Sequence, residues 1–223
     1  MKIKSSYLVL KTDAPVKESS SRLRGYIGHR FQEYPLLHHH LQESGYLYTY
    51  PLIQYKIINN QPCILGIEEG ASVVKEISDQ IDNLLLGSNV YQVDEKILYQ
   101  KEIDIKVSEN KQYNLLSPWM ALNSKNYTNY NKLRSWKDKK LFLNNILIGN
   151  ILSMCKSLGI IVNRKLYVHS HLDEEKVVFK GVPMIGFTGE FTVNFQIPDF
   201  FGLGKGVSVG FGTVKALSNI NAD

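Results

Sequence analysis

Three observations predict an α+β chain folded as two consecutive units of the order strand, helix, strand, strand, helix, strand. The length, 223 residues, suits two compact domains of roughly 100 residues each. Over the first half the hydrophobic period alternates between 2 and 3.6 in that order. After a polar stretch around Ser108 to Gln112 the pattern restarts. This order is the ferredoxin-like arrangement, so the expected fold is tandem ferredoxin-like (RRM-like) domains, 1–108 and 109–223, the second ending in a glycine-rich loop.

Taken in order, Ile3 to Lys11 reads as a first strand. Ser19, Ser20 and Ser21 offer side-chain oxygens to cap a helix carrying Leu23, Ile27 and Phe31 at i, i+4, i+8. Pro35 is expected to end that helix, because its ring clashes with a continuing turn. Tyr46 to Ile58 and Cys63 to Ile67 suggest a hairpin turning at Gln61-Pro62. Val73, Val74, Ile77, Ile81, Leu84 and Leu85 have helical spacing over Ala71 to Leu86, and Val90 to Val107 is strand-like.

In the second half a strand is expected over Tyr113 to Leu122, then a long helix beginning near Asp138 and stopped by Gly159. Strands follow from Ile161 through Val214, with period-two alternation after Gly189. A helix between the last strands is hard to see, and a long hairpin is the other reading of that region.

Composition narrows the function classes. Hydrophobic residues are 43% and charged residues 21% of the chain, ordinary for a globular protein. The N-terminal apolar run Tyr7 to Leu10 is too short for a signal-peptide core. Leu141 to Leu158 is interrupted by Asn144, Asn145, Asn150 and Lys156, so a buried helix is expected there, not a membrane span. A cytoplasmic location and no membrane partner follow as expectations. Cys63 and Cys155 are the two cysteines and have no C-x-x-C spacing, which argues against a zinc knuckle or redox motif. A net charge of +5 and a pI near 9.0 admit nucleic acid as a partner.

The most unusual segment is Gly202 to Gly212, with five glycines in eleven positions. Glycine removes the Cβ barrier to positive φ, so successive amides can approach a ligand and cradle phosphate oxygens. Neither the dinucleotide fingerprint nor a P-loop fits. The spacing is Gly-hydrophobic-Gly, five residues including Lys205, then Gly-hydrophobic-Gly. That pattern resembles the C-terminal loop of the repeat-associated RNA-binding proteins, specifically the CRISPR repeat-processing endoribonucleases, the sixth Cas family. Leu23-Arg-Gly-Tyr-Ile-Gly, Tyr34-Pro-Leu-Leu-His, Tyr50-Pro-Leu-Ile-Gln-Tyr-Lys, Ile148-Gly-Asn-Ile-Leu and Gly189-Glu-Phe look like the subtype-I-B branch.

The resemblance implies metal-independent cleavage of CRISPR precursor transcripts, with no cofactor: the RNA 2′-OH attacks the adjacent phosphate, giving 2′,3′-cyclic phosphate and 5′-OH ends. It suggests His38 and His40 as the catalytic pair, with Tyr48 as the assisting tyrosine and Tyr46 as its alternative. If the backbone is extended through His38-His39-His40, alternation puts His38 and His40 on one face. An imidazole pKa near 6.5 lets one ring take a proton while another gives one. Without the resemblance, three adjacent histidines read as a solvated turn or as a chelate for nickel or zinc. A purposeful metal site adds ligands at fixed spacing, and only Glu43 is close in sequence.

For RNA contacts, Tyr127 to Lys140 interleaves Tyr127, Tyr130 and Trp136 with Lys132, Arg134, Lys137, Lys139 and Lys140. Cations can track phosphates while aromatic faces stack unpaired bases. The other reading is a polar connection anchored by its aromatics. Arg22, Arg24 and Arg30 on the first helix, with Gly202, Gly204, Lys205, Gly210 and Gly212 in the loop, complete the RNA-binding set. His29, His169 and His171 read as surface or satisfied histidines. The implied partners are CRISPR repeat RNA and, beyond it, a multisubunit CRISPR effector complex, the chain being monomer or homodimer. A non-catalytic repeat-binding subunit is the alternative function.

Overall fold

The computed structural model describes residues 2–38 and 50–217. The chain divides into two compact units, one of Lys2–Asp104 with Ser208–Gly210, the other of Ile105–Val207 with residues 211–217.

The first unit runs β1 (Lys2–Thr12), α1 (Ser20–Arg30), a short α2 (Pro35–His38), β2 (Ile53–Ile58), β3 (Gln61–Ile67), α3 (Glu69–Ser78), β4 (Asn83–Leu86) and β5 (Asn89–Asp104). Its antiparallel sheet has the order β2-β3-β1-β5-β4, the ferredoxin-like order with one added edge strand. Period-two burial on β1, burial of β3 on both faces, and helical spacing on α1 and α3 meet in one core. Leu8, Leu10, Leu23, Ile27, Ile53, Tyr55, Ile64, Val74 and Ile77 lie in it. Each such side chain contributes about 1.5–3 kcal/mol relative to exposure.

Several local expectations change here. The helix expected over Ala71 to Leu86 stops at Ser78, and Leu84 to Leu86 belong to β4. Leu84 and Leu86 are buried while Leu85 is half exposed, a period-two pattern completed by pairing with β5. The β2–β3 turn is Asn59-Asn60, both at positive φ, and Gln61-Pro62 already pairs within β3. Asparagine tolerates the left-handed region that a two-residue hairpin turn demands. Pro35 does not end α1, which stops at Arg30; it opens α2, where its missing N–H costs nothing. Ser19 holds the N-cap position of α1 but makes no side-chain cap bond.

The second unit runs β6 (Val107–Trp119), α4 (Ser124–Lys132), α5 (Trp136–Ser157), β7 (Val168–Phe179), β8 (Val182–Phe195) and β9 (Val214–Ala216). Its antiparallel order is β7-β8-β6-β9, again ferredoxin-like. Between β8 and β9, where a second crossover helix is expected in the chain order, there is a single 3-10 turn, Val207–Val209, of which Ser208 and Val209 group with the first unit. β7 and β8 form a long hairpin closed by Lys180 and Gly181, both at positive φ. The polar stretch Ser108 to Gln112 lies inside β6. Its side chains from Glu109 to Gln112 are exposed and its register is irregular there, so no alternation marks it as strand.

α5 shows how sequence sets an element's ends. Ser135 Oγ accepts from the Asp138 amide at 3.0 Å, an N-cap that satisfies one orphan donor. At the other end Gly159 (φ +68) donates to Lys156 O, and Ile160 donates to Cys155 O at 2.8 Å. This is a Schellman closure. Leu143, Leu147, Ile151 and Met154 form its buried stripe. Among the described residues, no helix is long and apolar enough to cross a membrane.

Candidate nucleic-acid interface

The histidine triplet begins at the C-terminal end of α2. Leu37 is buried, and Tyr55 Oη donates to its carbonyl at 3.3 Å, tying α2 to β2. His38 is the last residue of α2, so the extended backbone expected across the triplet does not hold at its first member. His39, His40, Tyr46 and Tyr48 lie outside the described residues. Among the described residues, no group of three His, Cys, Asp or Glu side chains could hold a metal ion.

The α1 arginines differ in what they already hold. Arg22 is exposed. Arg24 Nη1 donates to Ser208 Oγ at 3.2 Å within the first unit. Arg30 donates to Tyr26 Oη at 2.8 Å and to the Gln80 carbonyl, with its guanidinium 5.5 Å from the Phe31 ring centroid. Gly25, on the exposed part of the same helix, faces open space, so no internal contact accounts for a residue about 1 kcal/mol less favourable than alanine.

The glycine loop is a folded structure. Gly204, Gly206, Gly210 and Gly212 all have positive φ. A Cβ on Gly212 would lie 2.0 Å from Leu203 O, and one on Gly204 would lie 2.6 Å from Trp119 Nε1. The amides of Leu203, Lys205, Phe211 and Gly212 donate to Gly212, Met120, Gly206 and Pro118 carbonyls respectively. Those four amides are therefore committed internally, which limits the phosphate cradle expected from the sequence. Gly202, Gly210 and Gly212 are buried, whereas Lys205 is exposed with its ammonium 5.2 Å from the Phe179 ring centroid.

The Tyr127 to Lys140 segment is not a simple connection. α4 occupies Ser124–Lys132, with Asn123 Oδ1 accepting from the Asn126 amide at 2.8 Å. Lys132 and Arg134 are exposed. Tyr130 is buried and donates to Glu174 Oε1 at 2.7 Å, which draws the Glu174 carboxyl below its ordinary range. Lys139 lies 4.6 Å from the Tyr130 ring centroid, and Lys140 lies 5.0 Å from that of Trp136. Lys140 Nζ also approaches His169 Nε2 at 3.1 Å, and its charge pulls the imidazole pKa below the usual value. With Leu143, Ser170, Leu172 and Asp173, this segment lines a groove of about 330 Å³ in the second unit. Sequence reasoning missed the β7 side of the groove, since nothing in Leu172-Asp-Glu announces which segment it faces.

Two antiparallel α+β units of ferredoxin-like order, with exposed cations on α1 and on the α4–α5 segment, define a tandem ferredoxin-like protein. Family models for the Cas6b N-terminal domain and the Cas6b C-terminal domain match residues 1–104 and 106–217. The chain belongs to the Cas6b family. Its structure is similar to a crystal structure of Cas6b (34% identity, TM-score 0.86, covering 97% of this chain and 100% of that one). It is also similar to the CRISPR RNA processing endoribonuclease Cas6b (33% identity, TM-score 0.79, covering 97% and 100%). A Methanocaldococcus jannaschii protein described as uncharacterized is 45% identical over 141 residues, 62% of this chain and 95% of its own.

Proposed function

We propose that this chain is a CRISPR repeat-RNA processing endoribonuclease. The observation that carries the reading is likeness over the whole chain to a solved CRISPR RNA processing endoribonuclease, through both units. The chemistry is transesterification within the RNA. The O2′–P bond forms and the P–O5′ bond breaks. One imidazole takes the 2′-OH proton and a second acid protonates O5′, leaving a 2′,3′-cyclic phosphate and a 5′-OH. No metal is required, because two imidazoles can supply both proton transfers.

On this reading His38 and His40 are the acid–base pair, and Tyr48 donates to or orients the 2′-OH. The N-terminal domain, 1–108, carries this set. The C-terminal domain, 109–223, carries the glycine loop and the α4–α5 segment. Arg22, Lys132, Arg134 and Lys205 contact phosphates. Arg24 and Arg30 contribute through a surface that their internal bonds hold in place. Gly202, Gly204, Gly210 and Gly212 serve RNA binding by shaping the loop that presents Lys205.

The test is labelled host repeat RNA incubated in EDTA with the native chain and with a His38→Ala/His40→Ala double variant. Cleavage by the native chain alone, leaving cyclic-phosphate ends, is the expected result. Intact RNA with binding retained would make the chain a repeat-binding subunit instead, and inhibition by EDTA would return the histidines to a metal.

A further inference from the structure

In the second unit, the residues preceding α5, its first turns and β7 enclose the groove of about 330 Å³. This size lies at the lower end of small-ligand pockets. Its polar groups fall into two sets. Glu174 is satisfied by Tyr130 Oη at 2.7 Å and Lys139 Nζ at 3.3 Å. Arg134 and Asp173 line the same groove, and neither side chain has a hydrogen-bond or ion-pair partner among the described residues. Trp136 shares the lining and is 64% exposed, although indole is costly to leave in water.

An unpaired cation, an unpaired anion and an exposed flat ring on one groove ask for a ligand with a matching set: an acceptor for guanidinium, donors for carboxylate, and a π face. An aromatic residue of a peptide offers the guanidinium only a neutral carbonyl, whereas a phosphate offers a charged acceptor that guanidinium binds more strongly. An unpaired nucleotide supplies all three. We propose that this groove binds one unpaired nucleotide of the RNA, with its base on Trp136, its phosphate at Arg134, and a preference for guanine set by Asp173. The inference rests on the RNA-processing reading and refines it.

Base–aromatic stacking tolerates any base, so Trp136 alone gives affinity without sequence preference. Asp173 supplies the preference. Guanine carries N1–H and an N2 amino group on one edge, and both can donate to the two oxygens of one carboxylate, a bidentate charge-assisted pair. Cytosine and adenine offer one amino group each. Uracil offers a single N–H between two carbonyls that a carboxylate repels. The Lys140 ammonium, 5.0 Å from the Trp136 ring centroid, adds a second cation for the phosphate.

The experiment titrates the native chain with the pentaribonucleotides UUGUU and UUUUU and follows tryptophan emission. Trp119 is fully buried, so quenching reports on Trp136, the other of the two tryptophans. UUGUU is expected to quench with an apparent Kd at least about fivefold tighter than UUUUU. Asp173→Asn removes that difference, Arg134→Ala weakens both oligonucleotides alike, and Trp136→Ala abolishes the quench. Equal affinity for the two in the native chain, no quenching by either, or a guanine preference that survives Asp173→Asn overturns the proposal. Cleavage of repeat RNA by the same preparation, alongside any of those results, leaves the processing reading standing without the groove. Loss of repeat-RNA binding and cleavage together overturns the reading and the inference with it.

Discussion

Lys56 lies in β2 with 1% of its surface exposed, and its ammonium donates to Gln54 Oε1 at 3.1 Å. Burial pushes its pKa down to about 7. A lysine whose folded pKa is lowered binds fewer protons folded than unfolded across the window between the two values. Stability therefore rises with pH through that window, starting near 7. Burial pushes the Cys63 thiol up to about 11 from an ordinary value of 9.0, and its contribution runs the other way above pH 9. The lysine should thus dominate from pH 7 to 9, with a slope on the order of 1 kcal/mol per pH unit at most. Thermal midpoints are expected to rise over that range in the native chain and to flatten in Lys56→Met, which should also be the more stable protein at pH 7. An unchanged slope in the variant would place the effect elsewhere. Tyr55, beside it in β2, makes a different prediction. Tyr55→Phe leaves the Leu37 carbonyl unpaired at the base of the histidine triplet. It should cost about 1 kcal/mol in chemical denaturation. If the triplet is catalytic, the variant should also slow repeat cleavage more than it weakens repeat binding, which single-turnover rates and binding isotherms would separate.

Elements end where a few side chains make ending favourable, and this can be measured on α5. Gly159 has open space around its missing Cβ, so Gly159→Ala meets only the left-handed backbone penalty. Urea denaturation should show a loss of about 1 kcal/mol. Gly212→Ala meets both positive φ and the Leu203 carbonyl at 2.0 Å, and should lose several times more. Legibility in the sequence follows the same logic. The end of α5 was readable because Gly159 follows a long periodic stripe. The burial of Leu23 and Ile27 was readable because helical spacing is local. The end of α3 was not readable, since Leu84-Leu85-Leu86 fits either period and only the pairing with β5 decides. The polar part of β6 was hidden because exposed side chains leave no alternation to find. The glycine spacing was legible, but its physical reason, clashes with Leu203, Trp119 and other contacts distant in sequence, was not. That Asp173 and Glu174 on β7 line one groove with the α4–α5 segment was invisible for the same reason: packing of α5 on the sheet brings together residues distant in sequence.

At the scale of the whole molecule, the charge of +5 is too small to identify a partner, and what matters is how many cations are free to meet phosphates. Of the six cationic side chains in the proposed RNA set, Arg24 and Arg30 already donate within their own unit. Arg22, Lys132, Arg134 and Lys205 are exposed, and none of them has a salt bridge among the described residues. Each phosphate neutralised on a single strand contributes a slope of about −0.7 to log affinity against log salt. Four such contacts predict a slope of about −3 for repeat RNA, and engagement of all six would bring it to about −4. Arg22→Ala should then lower the magnitude by about 0.7, whereas Arg24→Ala should lower it less and destabilise the fold slightly by orphaning Ser208. Repeat-RNA dissociation constants measured from about 50 to 300 mM KCl give these slopes directly. A native slope near zero would mean that the exposed cations of α1, the α4–α5 segment and the glycine loop do not lie on the RNA path, and that recognition rests on stacking and base edges instead.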